Sequence, residues 1–100
     1  MILGDVIGEM VSTIRHGSLR ARKILLVRPV SPEGEGEGEP FLALDAVDAG
    51  AGDRVLVNQE GRSAEAILHA SGIPVRSVIV AVVDEIVAEG RTVFRKGERP

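Results

Sequence analysis

Apolar residues along this chain fall into short runs broken by glycine, proline and charge. Residues 41–47, FLALDAV, and 54–58, RVLVN, flank the segment DAGAGD at 48–53. That pattern predicts strand, tight loop, strand. No side chain in the loop is longer than aspartate, so its backbone can come close to another, and Gly50 and Gly52 can take positive φ. Residues 2–14, ILGDVIGEMVSTI, predict a long first strand. Period-two alternation there puts Gly4 and Gly8 on one face with Ile2, Val6 and Met10. Glycine inside a strand marks a bend or the close approach of another chain. KILLVRPV at 23–30 predicts the second strand, and VIVAVVDEIVA at 78–88 is the strongest strand pattern of all. Both of its alternation sets are apolar: Val78, Val80, Val82 and Ile86 on one side, Ile79, Ala81, Val83 and Val87 on the other. Both faces therefore want covering, and a packed subunit would supply what one short helix cannot. Residues 92–95 predict a short closing strand, followed by a tail from about residue 95 to 100.

One helix is expected. Ser63 serves as N-cap to AEAILHAS at 64–71, Glu65 suits the positive end of the dipole, and Gly72 with Pro74 gives a stop. Residues 15–23, RHGSLRARK, form a polar, basic connection. Residues 31–40, SPEGEGEGEP, read as a flexible hairpin tip whose glutamates discourage edge pairing. A phosphate cradle would need a following helix N-terminus and a lysine rather than four carboxylates.

Composition agrees with a mainly β chain. Of the 44 hydrophobic residues 22 are Val or Ile, whose stiff χ1 suits a pleated surface. One hundred residues make a single domain, 1–100, burying roughly 65% of its unfolded surface, a modest margin that oligomerisation commonly supplements. The net charge is −3, with two Phe and no Trp or Tyr. A nucleic-acid binder needs a basic face and, for single strands, aromatic platforms, so none is expected as partner. The chain has no cysteine, which fits a reducing cytosol. MILGDVIGEM lacks the basic start of a signal peptide, and no apolar run reaches the roughly 20 residues of a membrane helix. A cytoplasmic protein without membrane contact is expected.

Chemistry is sparse. His16 and His69 show no metal-ligand spacing, and His69 suits the C-terminal end of the expected helix. Ser12, Ser18, Ser31, Ser63, Ser71 and Ser77 lie in no nucleophile-elbow pattern. Asp45, Asp48 and Asp53 cluster around the central loop, where carboxylates could act as acid and base or hold a cation, but Asp beside Gly more commonly shapes turns. No catalytic residue, metal site or cofactor is expected.

Three blocks of the chain carry a resemblance. The first is Ser12-Thr13-Ile14-Arg15, then Leu19, then Lys23-Ile24-Leu25-Leu26-Val27. The second is ALDAV, AGAGD and RVLV between Ala43 and Val57. The third is Pro74-Val75, then 78–83, then Asp84. Together they resemble the EutN/CcmL family of bacterial microcompartment vertex proteins; residues 58–72 match least. The resemblance implies a small five-stranded OB-like β-barrel with one short helix, assembled as a cyclic homopentamer. It implies a structural, non-enzymatic role at the vertices of a polyhedral shell, beside hexameric or pseudohexameric shell proteins. Gly4, Gly8, Ala49, Gly50, Ala51 and Gly52 are then the candidates for subunit contact or an axis loop, and Arg15, Arg20 and Arg22 for shell contact. The alternative is a free OB-like binding module for a small ligand or single-stranded nucleic acid, which would persist as a monomer.

Overall fold

The computed structural model describes residues 1–12, 22–59 and 77–97, with side chains for all of these except Val11, Ser12 and Arg22. Five strands, β1 (Ile2–Ser12), β2 (Arg22–Pro29), β3 (Phe41–Asp45), β4 (Arg54–Asn58) and β5 (Val78–Val82), close into a barrel in the order β1-β2-β3-β5-β4. Every pairing is antiparallel except that of β3 with β5. A closed five-stranded barrel of this order is the OB type. The helix expected at 64–71 lies outside the described residues.

Alternation decides what fills the barrel. Val6, Leu25, Val27, Ala43, Val55, Val57 and Ile79 point inward and are buried, and Ala49 joins them from the loop after β3. Ile2, Phe41 and Val82 pack against this cluster. With so few large side chains the interior leaves little slack. Gly4 is buried, and a Cβ on it would collide with Val27 Cγ1 and lie 3.0 Å from the Arg28 carbonyl oxygen.

The first strand departs from simple alternation. Val6 pairs with Val27 but Gly8 pairs with Leu26, so Ile7 is the extra residue of a bulge. One extra residue reverses which way the following side chains face. Gly4 and Val6 thus face the interior, while Gly8 and Met10 share the outer face with Leu26 and Ile24. The expectation that Gly4 and Gly8 occupy one face is overturned by this bulge.

The apolar run at 78–88 is also two strands rather than one. Val83 N–H donates to the Arg54 carbonyl at 2.8 Å, and Arg54 is where β4 begins. Beyond it the barrel offers no further partner. The chain leaves as β6 (Glu85–Ala88), which pairs only with β7 (Arg91–Arg95) in a separate two-stranded sheet. The last strand therefore does not close the barrel. Glu89 and Gly90, with φ of 52° and 76°, form the two-residue turn of this hairpin, in the left-handed region that the twist of a tight hairpin demands. Lys96 N–H then donates to the Asp84 carbonyl at 2.7 Å.

Candidate functional site

The loop at 48–53 is held by its own aspartates. The Asp45 carboxylate, 3% exposed, accepts from the N–H groups of Val47 and Ala49 at 3.1 Å each. Asp53 accepts from Gly50 N–H at 2.9 Å. The far end is stitched to β1: Gly52 N–H donates to the Val6 carbonyl and Val6 N–H to the Asp53 carbonyl, both at 2.9 Å. Positive φ falls at Asp48 (58°) and Gly52 (91°), not at Gly50. Aspartate tolerates that region because its short polar side chain can bond locally.

Lys23, on β2, reaches Asp45 at 3.3 Å and Asp48 at 3.4 Å. Loss of water around its ammonium acts to lower its pKa, but the hydrogen bonds and charges of Asp45 and Asp48 outweigh that and raise it above 10.5. The three aspartates of the sequence cluster are thus spent on turn geometry and on two lysines, Lys23 and, at 4.0 Å from Asp53, Lys96. Among the described residues, no group of three or more His, Cys, Asp or Glu is placed to hold a metal ion.

A second polar centre, not foreseen from the sequence, lies where β1 meets β4. Arg54, at the head of β4, donates from Nε to Asp5 Oδ1 at 2.8 Å and from Nη2 to Asp5 Oδ2 at 3.3 Å. Its Nη1 reaches the Pro32 carbonyl at 3.5 Å, and its guanidinium lies 4.2 Å from the ring centroid of Phe94. One side chain thus joins the barrel, the loop after β2 and the β6–β7 hairpin. Arg28 adds a longer contact to Asp5 at 3.9 Å. The available signal was a lone aspartate inside the apolar run 2–7 and a lone arginine opening another strand.

The acidic segment at 31–40 folds back on itself. Ser31 N–H donates to the Glu35 carbonyl, Gly34 N–H to that of Ser31 and Glu37 N–H to that of Pro29, each at 2.8 Å.

Of the residues singled out for contact between chains, Gly4 and Ala49 are buried within this chain's own barrel. Gly8 lies on the outer face, where a Cβ would sit 3.7 Å from Leu26 Cβ. Gly50 and Gly52 have open space where a Cβ would go, and Ala51 is exposed at the loop tip. Arg22 begins β2, while Arg15 and Arg20 lie outside the described residues, as do His16, His69, Ser18, Ser63 and Ser71. Ser31 Oγ accepts from Glu35 N–H, and buried Ser77 accepts from Gln59 Nε2. Neither serine has a base beside it in these contacts.

The outer face of the barrel is largely apolar. Leu3, Leu56 and Ala81 form one cross-strand row, Gly8, Leu26 and Leu42 a second, and Met10, Ile24, Leu44 and Val78 a third. Apolar residues do populate both faces of the sheet, but in β5 a register shift at Val80 puts Ile79 and Val82 toward the core and Val78 and Ala81 outside, so the two alternation sets expected for 78–88 are not kept.

A closed OB-type barrel with exposed apolar residues such as Met10 and Leu42 on its outside, and with Asp5, Asp45 and Asp53 engaged in ion pairs and turns, is a scaffold for packing against other protein. Comparison with known proteins identifies the family. The family model described as ethanolamine utilisation protein EutN/carboxysome matches residues 1–84. The bacterial microcompartment shell vertex protein EutN of Escherichia coli (strain K12) is 35% identical over 96 residues, covering 96% of this chain and all of that protein. The crystal structure of EutN from Escherichia coli superimposes with a TM-score of 0.77 at 37% identity, covering 98% of this chain and 100% of that one. The pentameric microcompartment shell protein GrpN from Rhodospirillum rubrum gives a TM-score of 0.68 at 33% identity, covering 88% of this chain and 99% of that one. The chain belongs to the EutN/CcmL family of microcompartment shell vertex proteins.

Proposed function

We propose that this chain is a structural subunit of a bacterial microcompartment shell, in the bacterial cytoplasm, and that five copies close into a ring occupying a vertex. The observation that carries the reading is the near full-length match to shell vertex proteins. It is supported by a barrel whose apolar residues outnumber what its interior can bury. A flat sheet of hexagonal tiles needs five-fold positions to close, and a heterologous contact closes at one rotation per subunit only. A ring that stops at five supplies that curvature without chemistry. Its neighbours are then the hexameric proteins of the facets, with the basic residues Arg15, Arg20 and Arg22 as the contact to them.

A free nucleic-acid-binding module fits less well. Phe41 packs against the barrel core and Phe94 carries the Arg54 guanidinium on its ring, so neither phenylalanine is an open stacking platform.

Native mass spectrometry of the purified chain across dilution tests the ring. A species of five times the 10.6 kDa subunit that persists on dilution is expected; a persistent monomer would overturn the reading. Charge reversal at Arg15, Arg20 and Arg22 should leave that species intact and impair closure of shells co-assembled with hexameric proteins. Unaltered closure would remove those residues from the contact.

A further inference from the structure

We propose that the apolar strip of Gly8, Met10, Leu26 and Leu42 on the outer face of β1, β2 and β3 is the surface on which a second copy of this chain docks, resting on the ring reading above. Gly8, Leu26 and Leu42 face one another directly across three strands, and Met10 lies beside them next to Ile24. The bulge at Ile7 creates this arrangement. Without it Gly8 and Met10 would point into the barrel and the strip would be interrupted.

Exposure separates this part of the face from the row beside it. Ile24, Leu44 and Val78, in the adjoining row, are only 3%, 2% and 4% exposed, whereas Met10 remains 47% and Leu42 42% exposed. Contiguous exposed apolar surface marks a protein contact, and the centre of such contacts is depleted in charge and enriched in methionine. The strip carries no charged side chain. Glu9, between Gly8 and Met10, pairs with Leu25 on the opposite side of the sheet.

The occupant is another copy for two reasons. Each chain has a formal net charge of −3, so identical copies repel overall and meet at least electrostatic cost across an uncharged strip. A solved relative of the same family, GrpN, is pentameric. A small ligand would need a concave site, and this strip lies on the convex outside of a closed barrel. Gly8 leaves a shallow notch beside Leu26 into which a neighbour's side chain can insert. A specific interface buries about 800 Å² per partner, so the strip is its apolar centre, with flanking polar residues completing it.

The test compares three variants with the wild-type chain by native mass spectrometry and sedimentation over a dilution series, with circular dichroism to follow folding. The variants are the double substitution Met10→Glu with Leu42→Glu, the single Gly8→Leu, and Val87→Glu. Val87, 60% exposed on the hairpin, is an apolar control outside the strip. The double variant and Gly8→Leu should each raise the concentration at which half the chains are assembled by about tenfold or more. Val87→Glu should leave it unchanged. Gly8→Leu removes no contact within the chain, since its Cβ would meet Leu26 at an ordinary 3.7 Å, so it still reads the contact where two glutamates weaken the barrel. Wild-type rings with variants that assemble equally well would overturn the assignment of this face while leaving the ring in place. A wild-type monomer at all concentrations would overturn the ring reading itself, and the docking surface with it.

Discussion

Replacing Arg54 by methionine should be among the most costly single changes in this protein. The substitution keeps an unbranched side chain of similar reach and removes the charge and every donor. Breaking a fully buried ion pair by deleting one partner costs about 3–5 kcal/mol, because the other charge is left without compensation. Here the Arg54 side chain is 10% exposed and that of Asp5 23%, so water recovers part of the loss. Asp5 also keeps Arg28 at 3.9 Å. Against that discount stands the contact with the Phe94 ring, of about 0.5–2 kcal/mol. The net expectation is a destabilisation of about 2–4 kcal/mol. For a domain of this length that lowers Tm by about 10–30 °C.

The assay is thermal or urea unfolding of Arg54→Met, Asp5→Ala and the double variant at one fixed protein concentration, since assembly shifts apparent stability. The double variant should be less destabilised than the sum of the singles by about 1–3 kcal/mol. A single-variant cost below about 0.5 kcal/mol, the scale of an ordinary surface change, would refute the reasoning. So would strict additivity, which would mean that Arg54 and Asp5 act independently.

Three further outcomes are expected. Gly4→Ala should cost about 1–3 kcal/mol in unfolding experiments, because its Cβ meets Val27 in a filled interior, whereas Gly8→Ala should stay within about 0.5 kcal/mol for the isolated subunit. Gly52→Ala should cost about 1 kcal/mol or more from its φ of 91° alone, and Gly50→Ala, in equally open space without positive φ, should be near neutral; equal effects would show that space and not backbone governs the loop. Lys23 has a folded pKa raised above 10.5, so its contribution is fully present below that value and is lost as pH rises through the folded pKa. The Tm difference between wild type and Lys23→Gln should therefore be constant in the neutral range and shrink only in strongly alkaline buffer, and a difference that already vanishes near neutral pH would contradict the pairing with Asp45 and Asp48.

What was legible in the sequence follows period and local chemistry. The two strands that flank the central loop, together with β1, β2 and the start of β5, stand where alternation and the loop residues put them. But β3 and β4 do not pair as a hairpin: β5 lies between them, a neighbour that no local pattern announces. Asp45 and Asp53 shape the loop between β3 and β4, as aspartate beside glycine does. The bulge at Ile7 was not legible, because ILGDVIGEM alternates equally well with or without an extra residue and only the partner strand reveals the slip. Nor was the break at Val83. Both alternation sets stay apolar through Val87, and the strand ends because β4 begins at Arg54, a fact of tertiary pairing. The Asp5–Arg54 centre escaped notice for a related reason: the two residues are 49 positions apart and become neighbours only when the barrel closes.

Closure also constrains how copies of this chain can meet. A strand at the rim of an open sheet offers unpaired N–H and C=O groups to any passing strand, and a closed barrel removes that option. Each barrel strand here has a partner on both sides, with β1 and β2 sharing the longest ladder. Contact between barrels in a ring must therefore be made by side chains on the outer face, where shape fixes the rotation between neighbours. Strand addition would be less discriminating, since an edge that accepts one strand accepts the next, and a heterologous contact that does not close gives a filament rather than a ring. Among the described residues the open edges belong to β6 and β7. That hairpin has strands of only four and five residues, a register shift between Ile86 and Val87, and a tie to the barrel through Phe94 and Arg54. Short, irregular edges are poor templates for pairing. The same arginine that secures the hairpin thus helps leave side-chain packing as the mode by which one subunit recognises the next.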